Sequence, residues 1–218
     1  MPIDTHECHS KRLRKPPAER CEEILCAAIK VFAEQGFRCT DVQQIADLAG
    51  VGKGTVYRFY PTKDELFQAA VDDVMLRLIS QVDTAVIGIE DPLEHLKQGF
   101  KTYMAFFQHH PEAIELFVHE CAEFGKVSKP RYFVYSDLRR TTWLNVYQQL
   151  IDSGRCRVND PEQILNFMSN LAYGSVLLNR ISGRNSSLVL MADELLNTLL
   201  HGILRASDEQ AQTTDGHA

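Results

Sequence analysis

A short stretch near residue 55 combines side chains that suit contact with nucleic acid. Lys53 and Arg58 supply positive charge, and Thr55 and Tyr57 supply hydroxyl groups. On a helix these groups share an outward side, and Gly54 near its start lets the backbone approach another surface closely. An α-helix fits the major groove of DNA, where one guanidinium can bind O6 and N7 of guanine together. The stretch therefore predicts a DNA-reading helix, with Arg58 as the candidate base reader.

The residues before this stretch supply the turn that such a helix needs. Residues 48–52, with the sequence LAGVG, join two short helical segments, and Gly50 can adopt a positive φ at little cost. Ala46 and Ala49 are small enough to let the two segments approach closely. We predict a helix-turn-helix motif over about residues 41–60, with its second helix in the major groove.

Helical periodicity extends over the whole chain, without the alternation typical of strands. The first helix is predicted over about residues 17–35, with Gly36 as a left-handed cap. Capping boxes at Thr40–Gln43 and Thr62–Glu65 are predicted to begin the second helix and the long fourth helix. Later helices should begin at or next to Pro92, Pro111, Pro130, Pro161 and Ser186 or Ser187. The pattern predicts an all-α fold of about nine helices, in which a three-helix N-terminal domain precedes a C-terminal helical bundle.

Charge is unevenly distributed along the chain. Residues 1–67 carry ten basic and ten acidic side chains, whereas residues 68–218 carry thirteen and nineteen, so the net charge of −6 belongs to the second part. Such a distribution is compatible with a protein that meets phosphates with one face only. The cysteines form no CxxC pair, and we find neither a secretory signal nor an apolar run long enough to span a bilayer. We therefore expect a cytoplasmic protein with reduced thiols and no membrane partner.

Residues from about 18 to 67 resemble the DNA-binding domain of the TetR family of transcriptional regulators. The resemblance is carried by residues 24–67, with the sequence ILCAAIKVFAEQGFRCTDVQQIADLAGVGKGTVYRFYPTKDELF. It implies a DNA-binding domain over residues 17–65 and a ligand-binding and dimerisation domain over residues 66–206. Residues 1–14 and 207–218 are expected to be disordered tails.

The resemblance also implies which side chains contact operator DNA. The candidates are Thr40, Gln43, Gln44, Lys53, Gly54, Thr55, Tyr57, Arg58 and Lys63. Thr40 is expected to hold a phosphate at the start of the second helix, Tyr57 to reach the phosphate backbone and Lys63 to contact the sugar-phosphate chain. Phe59 stands where many family members have His, so no polar contact is carried over to it.

Aromatic side chains are concentrated between residues 100 and 147. Most are expected to be core residues, but some could line an apolar ligand cavity with a few polar groups. Because family members usually bind a small inducer in this part, we expect an apolar or aromatic small molecule. The candidate ligand-binding residues are Phe107, Phe117, His119, Trp143, Tyr147 and Tyr173. Glutamates at 115, 120 and 123 would also tolerate a cationic ligand.

The last two predicted helices are apolar on more than one side. One face can be buried within the subunit, and the other needs a partner, because large exposed apolar patches are rare in monomers. We predict a twofold homodimer through helices at about residues 161–182 and 186–205. Burial of the final helix within one subunit is the alternative.

Together these features predict a ligand-responsive repressor that binds a palindromic operator and is released by a small molecule, with no cofactor, no metal and no enzymatic activity. A metal- or thiol-responsive regulator is the first alternative, because His6–His9 and His119–Cys121 are rich in metal ligands. Consecutive side chains on a helix point about 100° apart, however, which opposes a shared ion at the second cluster. An all-α enzyme and an architectural DNA binder remain as alternatives, although the sequence contains no GxSxG, phosphate-loop or dinucleotide motif.

Overall fold

The computed structural model describes residues 16–183 and 186–203, and over these residues it confirms the prediction of an all-α fold. Nine helices follow one another there: α1 (Pro17–Cys39), α2 (Val42–Leu48), α3 (Lys53–Phe59), α4 (Lys63–Val86), α5 (Pro92–His109), α6 (Pro111–Phe124), α7 (Arg131–Asp152), α8 (Pro161–Ile181) and α9 (Leu188–Ile203). The predicted tails at 1–14 and 207–218 lie outside the described residues, as does the His6–His9 cluster.

Gly36 has the positive φ that the sequence predicts, but it kinks α1 instead of ending it. Its φ of 75° and ψ of 167° lie in an extended region that glycine alone adopts readily, not in the left-handed region of an ordinary cap. The helix continues beyond this kink to Cys39. The kink frees the carbonyl oxygen of Gly36, and the hydroxyl of Thr40 donates a hydrogen bond to it over 2.7 Å.

The start of α2 corrects one sequence prediction, because Asp41 and not Thr40 caps this helix. The carboxylate of Asp41 accepts a hydrogen bond from the backbone N–H of Gln43 over 2.9 Å, and its own N–H donates to Gln44 Oε1 over 3.4 Å. The capping box thus lies one residue later than predicted. Thr40 cannot cap α2 because its side chain is buried and its hydroxyl is bonded to Gly36.

The first four helices enclose a closely packed apolar core. Phe32 of α1 and Phe67 of α4 are fully buried, and their ring centroids are 5.0 Å apart in an edge-to-face arrangement. Ile45 of α2 and Val56 of α3 are also fully buried, which fixes the two short helices to this core. Thr62 caps α4 as predicted, since its hydroxyl oxygen accepts a hydrogen bond from the N–H of Glu65.

Helix α5 lies at the centre of the C-terminal bundle and packs against α4, α6, α7, α8 and α9. Asp91 caps α5 and Asp160 caps α8, and a proline occupies the first helical position in both. Apolar residues at intervals of four bury one face of α9 against the bundle, namely Leu188, Ala192, Leu196 and Leu200.

Helix α6 packs against α1 and connects the bundle to the N-terminal core. Arg38 Nε donates to a carboxylate oxygen of Glu123 over 2.8 Å, and the ring centroids of Phe37 and Phe124 are 5.1 Å apart. The ring of His119 lies against Gly36, where an added Cβ would come within 3.1 Å of it. The kink in α1 is therefore shaped to accept α6.

Candidate DNA-contacting surface and internal cavity

Helix α3 buries one side and exposes the other. Val56 is fully buried, whereas Gly54, Tyr57 and Arg58 are exposed, and Thr55 is half-buried. A Cβ added to Gly54 would meet no atom within 4 Å, so the backbone is open to an approaching surface. This arrangement follows from the short amphipathic sequence, in which Val56 holds the helix to the core while its neighbours face outward.

Three of the predicted DNA-contacting side chains on α2 and α3 already have partners, since Gln44 accepts the bond from Asp41 N–H in the capping box. Lys53 Nζ lies 2.8 Å from Asp41 Oδ1, the same oxygen that accepts the hydrogen bond capping α2. The bond from Gln43 N–H, followed by the one from Lys53, lowers the pKa of the Asp41 carboxyl. Gln43 Nε2 donates to Asp47 Oδ1 over 2.7 Å. The bond from Lys53 ties the start of α3 to the start of α2, and the bond from Gln43 Nε2 lies within α2.

The remaining predicted contacts differ in how accessible they are. Lys63 Nζ donates to the carbonyl of Arg38 over 3.2 Å and lies 4.9 Å from the centroid of the Phe37 ring, which places it at the junction of α1 and α4. Gln44 is exposed. Thr40 is only 4% exposed, and its hydroxyl hydrogen is used by Gly36, so its side chain does not reach the surface formed by α3.

A cavity of about 140 Å³ lies among α4, α5, α7 and α8. Its lining is mainly aliphatic and aromatic, and α7 contributes residues along much of its length. The polar groups at the wall come from tyrosines, serines, a tryptophan and two arginines, namely Tyr103, Tyr132, Tyr135, Ser136, Arg139, Arg140, Trp143, Tyr147 and Ser169.

Two of the sequence-predicted ligand residues, Trp143 and Tyr147, line this cavity, with ring centroids 6.2 Å apart. The other four are placed elsewhere. Phe107 and Phe117 pack edge to face in the buried core, and His119 lies against Gly36. Tyr173 packs on Tyr132 with a centroid separation of 4.7 Å, outside the residues that line the cavity.

Several cavity residues were missed from the sequence. Gly99 is buried within α5, and a Cβ added there would lie 2.5 Å from the indole of Trp143, so the indole occupies the space that a side chain would fill. An isolated glycine inside a helical pattern is a signal for such close packing. Arg139 and Arg140 gave no signal, because charged residues on a helix usually face solvent.

The acidic residues proposed to attract a cation do not line the cavity. Glu115 pairs with Arg180, and Glu123 pairs with Arg38. The buried carboxylate of Glu120 accepts two hydrogen bonds from the N–H of Arg131, at 2.9 and 3.0 Å, at the start of α7. Burial raises the pKa of this carboxyl, and the bonds from Arg131 oppose the rise.

Over the described part of the chain, no three His, Cys, Asp or Glu side chains are grouped so that they could hold a metal ion. His119, Glu120 and Cys121 instead have separate neighbours, which are Gly36, Arg131 and Tyr173. No helix among the described residues is long and apolar enough to cross a membrane.

Comparisons with known proteins agree with this geometry. Residues 24–70 match the family described as bacterial regulatory proteins, tetR family. The HTH-type transcriptional repressor KstR2 of Mycobacterium tuberculosis is 28% identical over 165 residues, which cover 74% of this chain and 82% of that protein. The structure of the same ketosteroid transcriptional regulator superposes with a TM-score of 0.67 and 26% identity, covering 88% of this chain and 98% of the other.

Two more distant structures share the fold. A transcriptional regulator from Saccharomonospora viridis, solved with choline, gives a TM-score of 0.73 at 18% identity, covering 87% of this chain and 100% of the other. FadR from Bacillus subtilis, solved with stearoyl-CoA, gives a TM-score of 0.65 at 18% identity, covering 84% of this chain and 98% of the other. Taken with the match over the helix-turn-helix, the similarity to KstR2 supports a transcriptional regulator of the TetR type.

Proposed function

We propose that this regulator is a repressor that binds a palindromic operator as a homodimer and is released by a small molecule in the cavity. The observation that carries the proposal is the exposed side of α3, where Gly54, Tyr57 and Arg58 face outward from a helix anchored by Val56. We assign DNA binding to residues 17–65 and ligand binding and dimerisation to residues 66–206. A regulator of bacterial operators would act in the cytoplasm.

Within this proposal, the DNA contacts divide into two kinds. Arg58 is exposed at the end of α3 and reads a base edge, because its guanidinium can donate two parallel hydrogen bonds to guanine. Lys53, Tyr57 and Lys63 bind phosphates, with Lys53 exchanging Asp41 for DNA. Gln43, Gln44 and Thr55 lie on the same surface as supporting contacts. Thr40 acts indirectly, by holding the kink of α1 beside this surface.

The dimer is proposed from an exposed apolar stripe on α8. Phe167, Leu178 and Ile181 are 54%, 64% and 68% exposed and lie on one helical face. Gly174 lies between them on this face, where an added Cβ would meet no atom within 4 Å. Leu190 of α9 is also exposed, so α8 and α9 together offer a surface for a twofold four-helix interface. Sedimentation analysis should find a dimer, and Leu178→Glu should convert it to a monomer.

The cavity supports a response to a small molecule. At about 140 Å³ it is smaller than the roughly 300–1,000 Å³ of drug-sized sites, so a compact ligand fits it as it stands. Structural neighbours of this chain have been solved with ligands as different as choline and stearoyl-CoA. A ligand wedged among α4, α5, α7 and α8 would alter the placement of α4, which begins at Lys63 beside α3.

The test begins with selection of genomic fragments by the purified protein, followed by fluorescence anisotropy on the preferred fragment. Arg58→Ala should weaken operator binding by roughly 10- to 100-fold and leave random DNA nearly unchanged. Lys63→Ala should weaken both and lower the slope of log affinity against log salt by about one. Lys97→Ala, which removes a lysine paired with Glu94 on α5, is the matched control and should change neither. Equal wild-type affinity for selected and random fragments would contradict the proposal.

A further inference from the structure

The wall of the cavity is rich in hydrogen-bond donors. Tyr147 is 3% exposed, lines the cavity, and its hydroxyl has no hydrogen-bond partner among the described residues. The hydroxyls of Tyr103 and Tyr132 lie 2.9 Å apart, so one O–H is used between them and the other is left to donate elsewhere. Phenols are protonated at neutral pH, and burial raises the pKa of all three further above that range. An O–H group that lines the cavity without a protein partner can donate a hydrogen bond to a ligand there.

The charged groups at the wall have a single sign. Arg139 and Arg140 line the cavity, whereas none of its described lining residues carries a carboxylate. Arg139 is paired with Asp83 of α4, and Arg140 with Glu162 of α8, so both guanidiniums are held between neighbouring helices. Each guanidinium has more N–H donors than one carboxylate can use. The arginines can therefore accept a second anion while keeping their protein partners.

The shape of the site favours a flat, compact ring. A cavity of similar volume in another protein interior stays dry and binds benzene. Trp143 is fixed above Gly99 and faces the ring of His95 edge to face at 5.8 Å, so its indole is a rigid wall. Along α7, Arg140, Trp143 and Tyr147 follow one another over roughly 10 Å of helix rise.

We propose that the cavity selects a compact aromatic carboxylic acid, whose carboxylate binds Arg139 and Arg140, whose ring packs on Trp143, and whose oxygen substituent at the far end accepts a hydrogen bond from Tyr147. This inference rests on the proposed function, because it names the chemical class of the inducer. A cationic ligand is disfavoured, although aromatic side chains alone could form a cage for it, because the lining offers it no carboxylate.

The chain offers a direct optical test, since Trp143 is its only tryptophan. Tryptophan emission is titrated with benzoate, benzamide and benzamidine, which share one shape and differ in charge. Benzoate should give a saturable change, benzamide should bind about tenfold more weakly, and benzamidine should not bind. 4-Hydroxybenzoate should bind about three- to tenfold more tightly than benzoate, and Tyr147→Phe should abolish that difference while leaving benzoate unaffected.

The arginines are tested by Arg139→Gln and Arg140→Gln, which should each weaken benzoate binding about tenfold and affect benzamide little. Arg180→Gln is the matched control, because it breaks another arginine–glutamate pair between helices, away from the cavity. Thermal unfolding of each variant confirms that the fold is kept.

The outcomes separate this inference from the proposed function. Two results overturn only the inference that the cavity selects an aromatic acid. One is preferred binding of benzamidine or choline, and the other is the absence of any saturable change with the acids while operator binding is intact. Binding of the acids without release of the operator supports the acid site and overturns the inducer role. Loss of discrimination between operator and random DNA in the wild type overturns the proposed function whatever the cavity binds.

Discussion

In the N-terminal helices most polar side chains lie outside a closed core, whereas in the C-terminal bundle several of them line a cavity. Tyr57 and Arg58 project from α3 around a core centred on the fully buried Phe32. Tyr147 and Arg139 instead line the cavity among α4, α5, α7 and α8. A surface that meets the regular phosphates of DNA can be shared across a family, whereas an internal site must be built for one small molecule. This difference explains why the first region has a recognisable motif and the second does not.

The largest expected effect tests how completely each region is packed. Phe32→Ala should lower the free energy of unfolding by about 3–5 kcal/mol, because atoms surround the ring on every side. Phe100→Ala removes a ring that borders the cavity, so it loses fewer contacts and should cost about 1–2 kcal/mol less. Urea unfolding followed by far-UV circular dichroism measures both. Equal losses would show that the cavity wall is packed as tightly as the N-terminal core.

A second prediction concerns the contact between the two regions at Gly36. Gly36→Ala should cost about 2–3 kcal/mol, because its backbone lies in a region that only glycine readily adopts and an added methyl would press on His119. Gly154 also has a positive φ but open space around it, so Gly154→Ala should cost only about 1 kcal/mol. Thermal or urea unfolding gives the difference, which combines the contact with His119 and the backbone strain at Gly36. Identical costs would show that neither the contact with α6 nor this strain adds to the destabilisation.

A third prediction compares two glycines within helices. Gly99→Ala must displace the indole of Trp143 and should destabilise the fold by about 1–3 kcal/mol, with a shift in tryptophan emission. Gly54→Ala has open space and should stabilise α3 by up to about 1 kcal/mol, yet weaken operator binding about three- to tenfold if the backbone approaches DNA. Unfolding and anisotropy measurements on both variants separate the two roles. A Gly54→Ala protein with full operator affinity would contradict the close approach.

The sequence predicted the helices well because their boundaries depend on local chemistry. Asp91, Thr62 and Asp160 cap the helices they precede, as their side chains and the following residues suggest. The start of α2 was misplaced because Thr40 and Asp41 can both cap a helix, and the choice is made by the carbonyl of Gly36 on another helix. The contact spans only four residues, but it depends on the kink at Gly36, where the sequence predicted an ordinary helix end.

The cavity was predicted less completely for a related reason. Aromatic density indicated the right part of the chain, and Trp143 and Tyr147 do line the cavity, but Phe107 and Phe117 pack into the core beside it. Which face of a helix borders empty space depends on how several helices pack together. Arg139 and Arg140 are neighbours on α7 that pair with acids on two different helices, and sequence spacing alone cannot show that both pairs border one space.

Helix α4 is a continuous link between the α3 surface and the cavity. It runs without interruption for 24 residues, roughly 36 Å, from Lys63 beside the α3 surface to a second half that includes Met75, Leu78 and Val82 at the cavity wall. A continuous helix behaves as a stiff rod, so a tilt of only about 5° at one end displaces the other by about 3 Å. In the proposed twofold dimer that movement would be doubled between the two α3 helices, whose separation would have to match the repeat of the double helix. A small ligand in the cavity would in this way change the separation of the two α3 helices, so that they no longer match the spacing of successive major grooves.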